Sequence, residues 1–306
     1  MKQRSVGSLR VSEVGMGCNN FGGRLDQQSA TNVVNAAIEA GVNFFDTADI
    51  YGATNSEVFL GVALGERRAD VVIASKFGMP IDDTHFGASP AYVRQACDDS
   101  LRRLGTDYID LYQLHYPDAT VPIAETIGAL HELIAAGKVR EIGCSNFTGD
   151  QLRDAKLAAG DGPSFVSVQN QYSLLERSPE RDGVLAACDE LGVSFLPFYP
   201  LANGLLTGKI HPGEPLPAGT RLAAMPKDRS VHWLSDEFQE RVSTLLAYAD
   251  GIDVPILTLA FSWLLSHHEV ASVIAGASNA EQIRANVVAA TELTTKHRDE
   301  LDRLTA

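Results

Sequence analysis

The segment GVNFFDTADIYG, residues 41–52, begins as an apolar β-rich run and ends in a polar turn. Similar runs recur at intervals of roughly 30 residues, and helix-patterned segments rich in Ala, Leu, Glu and Arg separate them. The runs are nearly continuous in apolar residues, which is typical of parallel strands buried on both faces. The predicted strands cover residues 41–46, 71–75, 109–115, 139–145, 165–170, 193–198 and 271–276.

The helical segments have recognisable ends. Ser89 places a capping hydroxyl before Pro90, and Gly105 is typical of a helix C-terminus. Strand–helix alternation allows either a doubly wound open sheet or a closed barrel. A further strand at residues 14–17 brings the number to eight, which favours an α/β fold of the (β/α)8 TIM barrel type. The predicted helices cover residues 29–40, 90–104, 122–136, 149–159 and 181–191.

Three additions to the barrel are predicted. Residues 4–11 have the pattern of a β-hairpin that turns at Gly7-Ser8 and plugs the barrel floor. The Pro/Gly-rich residues 210–230 predict a long loop after strand seven, on the face where barrels keep their active sites. Extra helices are expected at residues 236–249, before a regular helix at 256–266, and within 285–306. No composition shift marks a domain boundary, so one domain spanning residues 1–306 is expected.

Composition limits the classes of function. The 306 residues include 39 acidic and 25 basic side chains, a net charge of −14, which argues against binding to nucleic acid or to a membrane surface. There is no apolar run of about 18 residues and no signal peptide, so a cytoplasmic protein is expected. The four cysteines are scattered, and nothing has metal-ligand spacing, so we predict neither disulfides nor a metal. The oligomeric state is left open.

Polar side chains end three consecutive predicted strands, and at the mouth of a barrel such ends meet. They bring Asp46, Tyr51, Lys76 and His115 to one rim, a set suited to proton transfer at a carbonyl. An ordinary phenol, with a pKa of about 10, is a poor acid at neutral pH, and a neighbouring ammonium is expected to lower that pKa. The aspartate would balance the charge of the lysine, and the histidine would orient the substrate oxygen.

Seven blocks of the sequence resemble, in order, the signature blocks of the aldo-keto reductase superfamily. The resemblance runs from about residue 4 to residue 288 and implies a barrel that transfers a hydride between a nicotinamide cofactor and an aldehyde, ketone or aldose. It implies Tyr51 as general acid/base, Lys76 and Asp46 as its tuning pair, and His115 as the residue that orients the substrate. The blocks are GVNFFDTADIYG, VVIASKFG, LRRLGTDYIDLYQLHYPD, GKVREIGCSNF, VQNQYSLLER, PFYPLANGLLTGK and VIAGASNAEQIRAN.

The resemblance also implies where the cofactor binds. Three groups of residues correspond to the nicotinamide carboxamide site, to the stacking and pyrophosphate loop, and to the adenosine 2′-phosphate and adenine site. Gly276 and Gln282 replace the basic residues that many members use for the 2′-phosphate; NADP(H) is nevertheless preferred, with NAD(H) as the alternative. The carboxamide group is Ser145, Asn146 and Gln169; the stacking and pyrophosphate group is Phe198, Tyr199, Leu201, Gly204 and Leu206; and the 2′-phosphate and adenine group is Gly276, Ser278, Gln282 and Asn286.

The expected partner is a small carbonyl compound, and the loops at residues 79–88 and 203–235 are expected to select it. Candidate substrate contacts are Phe21, Met79, Phe86, Tyr116 and Trp233. A second hypothesis is a regulatory subunit that binds NADPH and turns over slowly, as the related potassium-channel β subunits do. A third is an aldolase that uses Lys76 as a Schiff base. The sequence leaves the substrate and the direction of the reaction open.

Overall fold

The computed structural model describes residues 1–306, which form a hairpin followed by a barrel of eight parallel strands. The last gap in the barrel closes at Phe195, whose main chain bonds to Glu269 and Ala271. The predicted (β/α)8 architecture is therefore confirmed. The strands are β1 (Gln3–Val6), β2 (Leu9–Ser12), β3 (Val14–Gly17), β4 (Phe44–Asp46), β5 (Val72–Phe77), β6 (Ile109–Leu114), β7 (Val139–Ser145), β8 (Ser167–Gln171), β9 (Ser194–Phe198) and β10 (Val273–Gly276).

Twelve helices surround the barrel or join its strands. Their ends follow the predicted signals where these were strong. Ser89 accepts a hydrogen bond from the Tyr92 amide at the start of the third helix, and Gly105 ends that helix with a φ of 65°. The helices are α1 (Gln27–Glu39), α2 (Asn55–Leu64), α3 (Pro90–Leu104), α4 (Ile123–Ala135), α5 (Gly149–Ala159), α6 (Ser178–Arg181), α7 (Val184–Leu191), α8 (Lys227–Trp233), α9 (Asp236–Gly251), α10 (Ile256–Leu265), α11 (Ala280–Ala289) and α12 (Thr295–Thr305).

Three helical features differ from the sequence prediction. Helix α2 was not predicted, because it buries the polar Glu57 and exposes Val62, so its apolar residues do not mark one face. The predicted helix at 181–191 is split at Gly183, which has a φ of 71°. The long loop contains α8, a short helix that begins after Pro226. None of these changes alters the barrel topology.

The hairpin closes the amino-terminal end of the barrel, as predicted. Val6 pairs with Leu9 across a two-residue turn, and Ser8 donates its amide hydrogen to Glu141 Oε1 of β7 at 2.7 Å. The inward side chains Val6, Leu9 and Val11 are buried and leave the opposite end of the barrel as the open mouth. They pack against the barrel residues Phe44, Ala74, Leu111, Leu196, Ala271 and Ile274.

At the open mouth, the segment between β9 and α9 lies across the strand ends. Arg24, from the loop after β3, donates to the Gly219 carbonyl at 2.9 Å. Arg221 approaches the Tyr199 hydroxyl at 3.4 Å, at the end of β9. These two contacts attach the segment to the ends of β3 and β9, the strands that flank β10 in the barrel, so it forms one wall of the cleft.

No single helix in the structure has both the length and the apolar character needed to cross a membrane. The pair α9 and α10, bent by 98°, meets the criteria of length and composition together.

The hairpin gives a stability prediction. Leu9 is 6% exposed, so Leu9→Ala should lower the free energy of unfolding by about 2–5 kcal/mol. Turnover per folded molecule should stay unchanged, because the hairpin lies at the end of the barrel away from the mouth. Urea unfolding measures the first effect and steady-state rates the second. Leu157→Ala, at a side chain that is 79% exposed, is the matched control and should change stability little. Equal losses in the two variants would contradict the packing role of the hairpin.

Candidate active site

Lys76 is the centre of a buried polar group at the carboxyl ends of β4 and β5. Its ammonium donates to both carboxylate oxygens of Asp46, at 2.8 and 2.7 Å, and to the Thr47 carbonyl at 2.9 Å. The Tyr51 hydroxyl lies 3.5 Å from the same nitrogen. Asp46 is 3% exposed and Lys76 is fully buried, so neither charge has bulk water to solvate it. The two charges depend on each other, because a buried charge without its partner is strongly destabilising.

Two glutamines complete the environment of Asp46. Gln169 of β8 donates to Asp46 Oδ1 at 2.8 Å, and Gln113 of β6 lies 3.4 Å from the same oxygen. Three donors therefore converge on a single carboxylate, which holds it against Lys76. The commitment of the Gln169 amide nitrogen to Asp46 leaves its side-chain oxygen as the group available to a ligand.

Burial keeps Tyr51 protonated. Loss of bulk water raises the pKa of Tyr51 to about 12, although the Lys76 ammonium acts in the opposite direction. The sequence predicted a lowered pKa; the lysine has the predicted sign, but burial outweighs it. Burial would lower the pKa of Lys76, yet Asp46 and Tyr51 more than offset this, and its pKa is raised. At neutral pH the site thus contains a neutral phenol beside an ammonium–carboxylate pair.

His115 is the fourth member of the predicted set. Its ring meets that of Tyr51 edge-on at 5.8 Å between centroids and stacks on Tyr116 at 5.7 Å. Its Nδ1 atom is buried and has no hydrogen-bond partner in the protein. Burial, aided by the Lys76 charge, lowers the pKa of His115 to about 3, so the imidazole is neutral near pH 7. All four predicted residues are therefore brought together.

These residues form the floor of a cleft of about 990 Å³ at the barrel mouth. That volume is at the upper end of the range for sites that bind small molecules or cofactors. Lys76 lies beneath the floor, behind Asp46 and Tyr51. The other predicted residues that line the cleft are Ser145, Asn146, Gln169, Phe198, Tyr199, Leu201, Gly204, Gly276, Ser278, Gln282, Asn286, Met79, Tyr116 and Trp233.

Three predicted cofactor or substrate contacts do not line the cleft. Leu206, assigned to the cofactor loop, and Phe21, assigned to the substrate, are fully buried in the hydrophobic core. Phe86 is 52% exposed on the outer surface of its loop. Sequence position placed each of them in the right loop, but the direction of a side chain depends on the conformation of that loop, which sequence spacing does not give.

One end of the cleft is lined by amide side chains after β7 and β8. Asn146, with a φ of 61°, donates to the His115 carbonyl and to the Ser145 hydroxyl, each at 3.0 Å. Ser145 in turn donates to the Gln169 carbonyl at 2.7 Å. These bonds fix the orientation of the three side chains and leave amide oxygens to accept hydrogen bonds from a ligand.

The turn before α11 borders another part of the cleft. The Ser278 amide donates to Gln282 Oε1 at 2.8 Å, and Asn279 caps the helix by accepting from the Gln282 amide at 2.9 Å. Asn286 Nδ2 is buried in the cleft wall and has no protein partner. Arg284 lies outside the cleft and pairs with Glu39 at 3.4 Å.

The basic residues of the cleft were not among the predicted site residues. Arg24, Lys209, Arg221 and Arg229 line it, whereas Asp46, already neutralised by Lys76, is its only carboxylate. An acidic chain with a net charge of −14 thus has a cationic cleft, which favours an anionic ligand. Three of the four are in the predicted substrate loop at residues 203–235. The sequence shows that this loop is rich in basic residues, but not that their side chains meet at the cleft. In the structure no group of three or more His, Cys, Asp or Glu side chains has a geometry that could hold a metal ion.

Comparisons with known proteins agree with this geometry. A family model described as Aldo/keto reductase family matches residues 13–306. The solved structure of aldo-keto reductase AKR11C1 from Bacillus halodurans (holo form) superposes with a TM-score of 0.82 at 35% identity, covering 100% of this chain and 97% of that chain. A probable voltage-gated potassium channel subunit beta of Oryza sativa subsp. japonica is 34% identical, over 94% of this chain and 91% of its own length. The NADH-specific methylglyoxal reductase of Escherichia coli (strain K12) is 32% identical, over 94% and 93%.

The low pKa of His115 gives a spectroscopic prediction. In NMR spectra of the folded protein, the His115 ring resonances should not titrate between pH 5 and 8, because the ring stays neutral. His268 is the internal control: its pKa is raised by a hydrogen bond to Asp189 and by nearby Glu269, so its resonances should shift in that range. Resonances are assigned with a His115→Gln variant. A His115 titration near pH 6.5 would contradict the proposed neutral ring.

The same shift predicts a contribution to stability. The unfolded His115 binds a proton below its ordinary pKa of about 6.5, whereas the folded one does not until about pH 3. Wild-type stability should therefore fall as the pH is lowered through this window, and His115→Gln should lose less stability there. Urea unfolding at pH 7 and pH 5 compares the two proteins.

Proposed function

Because this chain belongs to the aldo/keto reductase family, whose members are nicotinamide-dependent oxidoreductases, we propose that it reduces small carbonyl compounds with NADPH. The observation that carries the proposal is the buried Asp46–Lys76 pair, with the Tyr51 hydroxyl 3.5 Å from its ammonium, at the floor of a large cationic cleft. A protonated phenol in this position is suited to give its proton to a carbonyl oxygen.

The residues of the cleft fit a dinucleotide. Asn286 Nδ2 is a buried donor that needs an acceptor, and the amide oxygens of Asn146 and Gln169 suit a carboxamide. The side chains of Lys209 and Arg221 suit phosphate groups. Bound here, a reduced nicotinamide would supply the hydride that reaches the carbonyl carbon.

The side chains at the floor of the cleft would transfer a proton to the substrate oxygen. Tyr51 donates its hydrogen to the substrate oxygen as negative charge develops there, and the Lys76 ammonium stabilises the resulting phenolate. Asp46 keeps Lys76 charged and in place. His115, as a neutral imidazole, donates one hydrogen bond to the same substrate oxygen and fixes the orientation of the carbonyl. Both groups can act as donors near pH 7 because burial keeps one protonated and the other uncharged.

The proposed preference for NADP(H) over NAD(H) rests on the basic residues of the cleft. NADPH carries an additional phosphate, and four basic side chains without a free carboxylate among them favour the more negative cofactor. One relative is named for NADH specificity, so the family alone does not decide between the two cofactors.

The substrate is proposed to lie against Met79, Tyr116 and Trp233, the three predicted contacts that line the cleft. Their apolar and aromatic surfaces suit a substrate with an apolar body beside its carbonyl. The regulatory alternative is favoured by the similarity to a probable potassium channel subunit beta. Comparison of single-turnover with steady-state rates over a panel of aldehydes separates an enzyme from a slowly cycling sensor.

Replacement of the proposed proton donor tests the function directly. Tyr51→Phe should lower kcat for aldehyde reduction by about 10²–10⁴-fold, since it removes general acid catalysis while keeping the ring. The dissociation constant of NADPH, measured by quenching of protein fluorescence, should change little. Tyr116→Phe, at the other tyrosine beside His115, is the control and should retain most activity. A Tyr51→Phe enzyme with normal turnover would refute the assignment.

Cofactor preference is tested at the cationic wall. Lys209→Met and Arg221→Met should each weaken NADPH binding by roughly 10–100-fold, the effect of one charge-assisted contact. NADH should lose less affinity than NADPH if either side chain holds the additional phosphate. Arg284→Met removes a basic residue that is paired with Glu39 outside the cleft and should affect neither cofactor. Equal losses for both cofactors would assign the contacts to the shared pyrophosphate and leave the preference without support.

A further inference from the structure

Asp49 belongs to the turn that follows β4, and its side chain does not line the cleft. It is 1% exposed, and its amide donates to the Lys76 carbonyl at 3.0 Å. The Lys76 side chain binds Asp46 and Thr47 of the same turn, and the Tyr51 amide bonds to the Ala48 carbonyl at 3.2 Å. The turn from Asp46 to Tyr51 is thus wrapped around Lys76, and Asp49 is the member of that turn with no assigned role.

Both carboxylate oxygens of Asp49 are buried and accept no hydrogen bond from another side chain; the adjacent Ile50 amide is the one main-chain group that favours the charged form. Its neighbour Glu57 is different: the Glu57 carboxylate accepts from Ser75 and from Arg103, the latter at 2.6 Å. Arg103 donates to Glu57 and to Ser100 but makes no hydrogen bond to Asp49. The Tyr112 hydroxyl on β6 is also buried and unpartnered. An unpaired carboxylate is far more costly to bury than a neutral carboxylic acid.

The titratable groups around Asp49 come from four elements. Burial is the main cause that raises the pKa of Asp49 to about 7, and the Glu57 carboxylate on α2 adds to it. Arg103 on α3 and Lys76 on β5 act in the opposite direction. The titratable hydroxyls that face it are Tyr92 on α3 and Tyr112 on β6, both of which remain protonated. The surroundings of Asp49 therefore favour its neutral form far more than those of an ordinary carboxyl group, in the same turn that carries Tyr51.

We infer that Asp49 is a positioning residue for the Tyr51–Lys76 pair: it works as the neutral acid, and a negative charge on it holds the proton on Tyr51 and slows reduction. The inference rests on the proposed function. Asp46 already balances the Lys76 charge, so a second buried carboxylate gives this group a net negative charge. That charge disfavours the phenolate that Tyr51 becomes when it donates its proton.

The expected effect is moderate. A change of one unit in the pKa of Tyr51 is tenfold in its proton affinity, and only part of this appears in the rate. Reduction by the wild-type enzyme should therefore slow by roughly 3–10-fold as the pH rises from 6 to 8.5. Asp49→Asn has nearly the same shape and no charge, so its rate should be nearly constant over this range.

The experiment measures single-turnover reduction with the enzyme preloaded with NADPH, which separates the chemical step from product release. The substrate is an aldehyde that the wild-type enzyme reduces. Asp161→Asn, which removes one exposed negative charge from the loop before β8, is the control and should follow the wild-type profile. Asp49→Ser provides a second uncharged variant if the first is unstable. Identical profiles in wild type and the Asp49 variants would overturn the inference.

A second measurement does not depend on activity. The infrared band of a protonated carboxylic acid should be present in wild type at pH 6, vanish as the pH passes about 7, and be absent from Asp49→Asn. Absence of this band at pH 6 would overturn the inference, even if the protein is an active reductase. If the band titrates but no aldehyde is reduced, the proposed function fails, and the role of Asp49 fails with it. A titrating band together with a flattened rate profile in Asp49→Asn supports the inference.

Discussion

The buried ion pair between Lys76 and Asp46 is the interaction on which the site depends. Neither charge is tolerable alone in this interior, so the strands that carry them must align at one level of the barrel. Donors from β6 and β8 also reach Asp46, and the pair thereby links four of the eight strands. The turn that bears Tyr51 is wrapped around the same ammonium, which places a phenol at the cleft floor as a consequence of charge compensation.

The floor and the rim of the cleft differ in burial and therefore in charge. At the floor, burial keeps Tyr51 protonated and His115 uncharged, so the two groups proposed to contact the substrate are neutral hydrogen-bond donors. At the rim, the basic side chains of Lys209 and Arg229 are exposed and have no acidic partner. A ligand with phosphates at one end and a reactive ring at the other could bind with its phosphates at the basic rim and its ring at the uncharged floor. Burial also favours the uncharged form of Asp49, which does not line the cleft.

The sequence predicted most of the fold because barrel strands repeat one physical requirement. Each must be apolar on both faces, and each is followed by a helix, so eight runs could be counted without any tertiary information. The hairpin was predictable from its two-residue turn. Helix α2 was missed because it buries Glu57 against Arg103, a contact between residues 46 positions apart. Hydrophobic periodicity identifies helices that bury an apolar face, and it does not identify a helix that packs through a polar contact.

For the site, the sequence by itself determined the chemistry at the strand ends: the residue types of Asp46, Tyr51, Lys76 and His115, and their common rim, follow from strand order alone. Only the tertiary structure decided three further things. Burial reversed the expected direction of the Tyr51 pKa, loop conformation turned Leu206 and Phe21 into the core, and the segment after β9 brought Arg221 and Arg229 to the cleft. The reason is common to all three. Solvent exclusion and side-chain direction depend on what packs around a residue, and those neighbours are distant in the chain.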